Sequence, residues 1–298
     1  MGKVGDSNSS PRTASSASFT ISFTIMPAQK RAHPHRREKV YIYGKHTLEE
    51  ALARAPHALR KVFIDPARGY TQIREALERS RVPLAPLHAN AGTVSPHEIP
   101  THEAHQGIIG VLDPTKLFVP LSSFLDSLPK DGSPALALLD EVQDPHNVGA
   151  VIRSAAAFGL SAVLLPQRRQ AGITGAVAKS SAGMVFRIPL VSIGNVNQTI
   201  RLLKEHGFWI YALVAREGHT LDKEHFDAPA CFVLGNESAG IREKTRTLCD
   251  TALSIPLHPR CESLNVSAAA AVVFHAWSAQ QSPQGFNTQE NPSSLRKE

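Results

Sequence analysis

The chain has 298 residues, enough for about two ordinary domains. Its 42% hydrophobic and 19% charged residues can fill one or two cores, which excludes wholesale disorder, and no apolar run approaches the roughly 20 residues of a bilayer-spanning helix. The net charge of +6 gathers at the N-terminus, where residues 1–39 carry seven Lys and Arg against Asp6 and Glu38. Three cysteines, Cys231, Cys249 and Cys261, with no C-x-x-C spacing, exclude a disulfide scaffold and point away from structural zinc and toward a reducing, cytoplasmic setting.

In chain order, residues 1–38 are rich in Ser, Thr, Ala and Pro and read as a disordered tail. Phe19–Met26 is too short and too interrupted for a secretory signal, and Met26 offers a second plausible start. Lys30, Arg31, Arg36 and Arg37 within this tail suit phosphate contact. Residues 39–114 read as a small α/β unit. Strands are expected at Val40–Tyr43, Lys61–Ile64, Val82–Leu87 and Gln106–Leu112. Helices are expected after a Thr47-x-x-Glu50 capping box and over Thr71–Arg79. The prolines and glycine of 115–133 read as a linker.

From 134 to 280 a stricter alternation sets in. Strands are expected at Ala135–Asp140, Ala162–Leu165, Val185–Val191, Phe208–Val214, Cys231–Leu234 and Ala252–Ile255. Between and after them come helices over Val148–Phe158, Thr174–Ala182, Val196–Glu205 and Leu264–Ala279, and 281–298 read as a second disordered tail. Short apolar strands alternating with helices predict an α/β fold with a mostly parallel sheet covered on both faces. Ligands of such sheets bind in loops beyond the strand C-termini.

Among motifs, the absences come first. The chain has no G-x-G-x-x-G, no P-loop, no G-x-S-x-G and no H-E-x-x-H, so dinucleotide, phosphate-loop, serine-hydrolase and zincin sites lack support. His102-Glu103-Ala104-His105 has the wrong spacing for a metal pair.

Three neutral stretches stand out instead. Arg153 is the sole ionised side chain from Val148 to Pro166, and Glu237 the sole one from Ala228 to Ile241. Ser263–Gln280 has none, with Asn265 in its first turn. Arg153 could simply snorkel from an Ala-rich helix, and Glu237 could simply be an exposed loop residue. Their joint occurrence at strand ends favours a site, because a lone charge needs water, a partner or a ligand. Asn147 and Ser263 read as helix N-caps, and Gly149, Gly235 and Gly240 allow close backbone approach.

These blocks resemble the three motifs of the SpoU-type (TrmH-like) RNA ribose 2′-O-methyltransferases of the SPOUT superfamily. The first is Asn147-Val148-Gly149-Ala150-Val151-Ile152-Arg153 and the second Leu234-Gly235-Asn236-Glu237. The third runs from Ile255-Pro256-Leu257 through Ser263-Leu264-Asn265-Val266-Ser267. The likeness covers about 134–280. Residues 40–112, with Tyr43-Gly44-Lys45-His46 and His105-Gln106-Gly107, are similar to the family's small RNA-recognition domain. The arrangement most resembles the enzymes that modify a guanosine of large-subunit ribosomal RNA; transfer RNA, or a non-catalytic RNA-binding or ribosome-assembly role, are the alternatives.

The resemblance implies S-adenosylmethionine as methyl donor, no metal, a trefoil-knotted catalytic domain and a homodimer built through it. It further implies Asn147, Arg153, Glu237, Ser263 and Asn265 as the catalytic constellation, and Gly235, Ile255 and Leu264 as backbone lining the cofactor pocket. Glu237 is expected to orient Arg153 by a charge-assisted hydrogen bond. Arg153 would stabilise charge on the 2′-oxygen; a role as base stays open, since guanidinium holds its proton firmly.

Overall fold

The computed structural model describes residues 39–87, 105–129 and 132–281. The tail expectations for 1–38 and beyond 281, and the stretch His102-Glu103-Ala104, lie outside the described residues. Two sheets organise the rest.

The first is built from β1 (Val40–Tyr43), α1 (Lys45–Arg54), β2 (Leu59–Ile64), α2 (Thr71–Ser80), β3 (Leu84–Pro86) and β4 (Ile108–Leu112). Its strand order is β1-β4-β2-β3, with β4 antiparallel to both neighbours and β2 parallel to β3. Every residue of β4 is buried, as an apolar Ile-Ile-Gly-Val-Leu run at the sheet centre requires. The helices cover it through Leu48, Ala51 and Leu52 of α1 and Ile73 and Leu77 of α2.

The Thr47–Glu50 capping box does not form. Helix α1 starts two residues earlier, at Lys45, whose amide donates to the distant Gln106 Oε1 (3.0 Å). Glu50 is engaged elsewhere, by both Nε and Nη2 of Arg187 at 2.7 Å. That fork joins the small sheet's helix to the larger unit, beside Lys179 Nζ poised 5.6 Å over the Tyr43 ring.

Donation from Arg187 lowers the Glu50 carboxyl below its ordinary 4.5, against a smaller opposing effect of burial. A carboxylate with a lowered pKa contributes fully to stability above its ordinary value and loses that contribution as pH falls through the lowered one. Glu50→Gln is therefore expected to cost about 1 kcal/mol at pH 7, the upper range for a solvent-screened pair, and less at pH 3. Thermal melts of both proteins at the two pH values check this.

The larger sheet comprises β5 (Phe118–Pro120), β6 (Ala135–Asp140), β7 (Ala162–Pro166), β8 (Leu190–Ile193), β9 (Trp209–Val214), β10 (His219–Thr220), β11 (Ala230–Gly235) and β12 (Thr251–Ser254). All eight are parallel, in the order β10-β12-β9-β11-β6-β7-β8-β5. Its helices are α3 (Leu121–Ser127), α4 (Pro145–Ala157), α5 (Gly175–Ser180), α6 (Val196–Glu205), α7 (Glu243–Arg246) and α8 (Val266–Gln281). One apolar layer lies under α4, α5 and α8, and a second under α3 and α6.

Three expectations change here. The segment read as a linker, 115–133, supplies β5 and α3, and β5 pairs with β8 at the sheet edge. Pro120 closes that strand where a missing N–H costs least. Val185–Val191 is a 3-10 turn at Met184–Phe186 followed by β8. Helix α4 begins at Pro145 because Asp144, not Asn147, is its cap, accepting from the His146 amide at 2.8 Å. Gly149 then lets α4 lie on α5: a Cβ there would stand 2.8 Å from the Val177 carbonyl.

Candidate active site

The site forms where β6, β11 and β12 end. Adjacent strands β6 and β11 set Asp140 opposite Gly235, so the loops leaving them start side by side. After Gly235 the chain makes a tight loop in which Asn236 and Gly240 exchange backbone hydrogen bonds (3.0 and 2.9 Å). The Asn236 Oδ1 accepts from the amides of Ser238 and Ala239, and its Nδ2 donates to the Glu141 carbonyl at 2.9 Å. Glu237 is carried at the head of this loop.

Three polar side chains from three motifs meet in series. Asn147 Nδ2 donates to Glu237 Oε1 at 3.0 Å, and Asn265 Nδ2 donates to Asn147 Oδ1 at 3.0 Å. The Asn265 Oδ1 accepts from the Ser267 amide and hydroxyl, so Asn265 and not Ser263 caps α8. Each amide is thereby oriented end to end, which fixes Glu237 without a neighbouring cation. The expected pairing of Glu237 with Arg153 is not made; the Asn147 amide takes that place. A carboxylate bonded to a neutral amide stays available to a cationic or hydroxyl-bearing ligand.

Beside this chain lies a cavity of about 540 Å³. Gly235, Glu237, Ile255, Ser263, Leu264 and Asn265 all line it, together with leucines 213, 234, 253 and 257. The lining combines apolar side chains with loop backbone and one carboxylate. Such a lining suits a ligand with an apolar part and a charged, polar part.

Arg153 is not brought there. It stands on the exposed side of α4, outside the cavity lining, and makes no hydrogen bond or ion pair among the described residues. Two residues that the sequence did not single out do support the site. The Asp140 side chain is fully buried and takes a fork from Arg242, Nη2 to Oδ1 at 2.5 Å and Nε to Oδ2 at 3.3 Å. Donation to Asp140, reinforced by the charges of Asp140 and Glu141, raises the Arg242 pKa above its ordinary value against the effect of burial. The only signal for this pair was an acid at the end of an apolar strand and a base just after Gly240.

Burial pushes the Cys249 thiol up to about 12 and that of Cys231, inside β11, higher still; Cys261 is exposed. A maleimide is expected to label Cys261 and spare the other two at pH 7.5. Cys261→Ser should leave ligand affinity unchanged, which intact-mass analysis and titration calorimetry test.

Residues 134–275 match the model of the SpoU rRNA Methylase family. The chain is 34% identical over 236 residues to the 23S rRNA (guanosine-2′-O-)-methyltransferase RlmB of Neisseria meningitidis serogroup B, covering 78% of this chain and 92% of that protein. It is 35% identical over 238 residues to the RlmB of Coxiella burnetii, covering 78% and 93%. Among solved structures it resembles the SpoU methyltransferase AviRb of Streptomyces viridochromogenes in complex with AdoMet, with a TM-score of 0.65 at 23% identity over 81% of this chain and 90% of that one. An AdoMet-bound rRNA methyltransferase of Sinorhizobium meliloti gives 0.66 at 20% identity over 81% and 87%. The family model and these relatives define the class of the parallel α/β sheet with its polar cluster and cavity at the strand C-termini, an rRNA methyltransferase. The chain belongs to the SpoU rRNA methylase family.

Proposed function

We propose that the protein methylates the ribose 2′-hydroxyl of a guanosine in 23S ribosomal RNA, with S-adenosylmethionine as methyl donor and in the cytoplasm. The observation that carries the reading is the convergence of Asn147, Glu237 and Asn265, one from each motif, in a single hydrogen-bonded series beside the cavity. The likeness over most of both chains to proteins named for guanosine 2′-O-methylation supports the substrate.

The cavity fits the donor by the chemistry of its walls. Ile255 and Leu264, with the leucines, offer apolar contact to an adenine. Gly235 lets the loop 236–241 fold back tightly on its own strand, since a Cβ there would fall among the atoms of Gly240 and Ile241, and the loop held this way gives the cavity its polar wall. Bound there, S-adenosylmethionine supplies an electrophilic methyl group. The chain's own residues do the rest. Glu237, held by Asn147, presents its carboxylate at the polar end of the cavity, and Asn265 and Ser263 line the approach to it. A 2′-hydroxyl is a weak nucleophile and must be positioned while negative charge develops on its oxygen. Arg153 provides the positive field for that oxygen, and acts as a stabiliser because a guanidinium is a poor base.

The unit over 40–112 is the RNA-recognition domain in this reading, and the catalytic part carries the trefoil knot and forms a homodimer. An uncharged helical face supports the dimer. Ala157 of α4 and Ala268, Val272 and Ala279 of α8 are exposed and Ala150 is half-buried, and Arg153 is the one Lys, Arg, Asp or Glu within these two helices. A second copy seated on that face brings Arg153 to the site from outside the cavity wall.

Mapping ribose methylation across total RNA, with and without the gene, tests the reading. Loss of one guanosine methyl in 23S RNA is expected. Loss in transfer RNA, or no loss together with no calorimetric binding of S-adenosylmethionine, would refute it.

A further inference from the structure

We infer that Arg242 is a positioning residue for the methylation site, acting through Asp140 and Glu141 to hold Glu237 against Asn147; this rests on the function proposed above. Neither Arg242 nor Asp140 belongs to the three motif blocks that carry the resemblance.

The geometry is that of a strut. The loop 236–242 is fastened at its start to Glu141 and at its end to both Asp140 and Glu141. At its start, Asn236 Nδ2 donates to the Glu141 carbonyl at 2.9 Å. At its end, Arg242 forks onto the Asp140 carboxylate, and its Nη1 stands 3.1 Å from Glu141 Oε1. Glu237 lies between the two fastenings. Asp140 and Glu141 also begin the loop that leads to Asn147, so both partners of the Asn147–Glu237 bond hang from one anchor.

The anchor is firm because Asp140 cannot turn to water. Its side chain has no exposure, so losing Arg242 leaves a buried carboxylate without its charge partner. Arg242 itself is about half exposed, at 46%, and can be replaced without opening a cavity in the core. Glu141 adds a second constraint. It is held with φ at 66°, a backbone conformation few non-glycine residues adopt, and Arg169 Nη1 lies 3.5 Å from the same Oε1. Removing the fork frees the loop to relax, and Glu237 moves with it. Since the cavity is lined by Gly235, Asn236, Glu237, Ser238 and Gly240, the effect reaches the donor pocket too.

Two readouts test this on the full-length protein. In single-turnover methylation of a 23S RNA fragment, Arg242→Gln should lose about 10- to 100-fold, the scale of displacing a positioned group by an ångström. Arg242→Lys, which restores the charge but not the fork, should recover part of that loss. In the Glu237→Gln background Arg242→Gln should cost several-fold less, because the two act in series. The second readout needs no RNA and no donor: the Asn147 side-chain amide resonance in protein labelled with ¹⁵N-asparagine, identified by its loss in Asn147→Ala. Arg242→Gln should shift it toward the free-amide position, and Arg242→Lys less so. A wild-type protein that does not methylate the fragment refutes the function reading, and the resonance still reports on the strut. Additive losses, or an unmoved Asn147 signal in a folded Arg242→Gln protein, overturn the inference.

Discussion

Arg153→Ala is expected to lower single-turnover methyl transfer about 10²- to 10³-fold, the scale of deleting one preorganised donor aimed at developing charge. The same variant should melt within a degree or two of wild type. Arg153 is exposed, has no partner among the described residues, and leaves no orphaned group behind when removed. Donor affinity should also hold, because Arg153 does not line the cavity. Arg153→Lys should stay strongly impaired, since a point charge does not reproduce a planar fork. A structural arginine would give the reverse pattern, a lower melting temperature with activity falling in proportion. Melts, donor titrations and single-turnover rates on one set of samples decide between them; a folded, donor-binding variant with near wild-type rate would remove Arg153 from the mechanism.

The second large effect is expected at Gly235. A Cβ added there would stand 2.4 Å from both the Gly240 carbonyl carbon and the Ile241 nitrogen, and 2.6 Å from the Gly240 oxygen. These are backbone atoms and cannot swing aside as a side chain would. Gly235→Ala must therefore push the loop 236–241 off its strand. Overpacking of this kind costs about 1–3 kcal/mol, and a displaced loop should weaken donor binding at least tenfold, a loss of about 1.4 kcal/mol. Gly194→Ala is the matching control, since nothing lies within 4 Å of a Cβ there. Calorimetric titration of both variants, with melts, measures the contrast. Equal affinities would mean that the loop is not part of the donor pocket.

What could be read from the sequence follows from how local each signal is. Helix α6 was legible over its full length because Asn195 caps it, its Oδ1 accepting from the Gln198 amide, and its apolar residues keep helical spacing. The parallel sheet was legible from apolar strands with no alternation. The resemblance groups Gly235, Ile255 and Leu264 around a pocket and Glu237, Ser263 and Asn265 in a catalytic set with Asn147 and Arg153. The structure lines one cavity with the first six of these but not with Arg153; no local pattern could draw residues so distant together. Other features escaped. Asn147 and Ser263 had the composition of caps, yet Asp144 and Asn265 do the capping, because choice among neighbouring polar residues is made by tertiary contacts. The Thr47–Glu50 pattern failed for the same reason, with Glu50 drawn to Arg187. Strand β5 looked like a linker because prolines mark sheet edges as readily as they mark loops. The Asp140–Arg242 pair was hidden by its separation in the chain.

The order of strands also governs how the molecule comes into being. No two neighbours in the large sheet are joined by a tight hairpin: β6 waits for β11, with Ala135 opposite Ala230, and β5 waits for β8, with Phe118 opposite Leu190. Contacts so remote in sequence demand closure of long loops before any pairing is rewarded, which places such sheets among slow folders, at about milliseconds to seconds or longer. The polar series is more delayed still. Its bonds span 90 and 118 residues, and the last requires Asn265, close to the end of the sheet domain. A growing chain on the ribosome therefore has neither the complete polar series nor the cavity beside it until nearly all of that domain has emerged. In the reading proposed above, methylating competence arrives in one late step, after the RNA-recognition unit over 40–112 has already emerged.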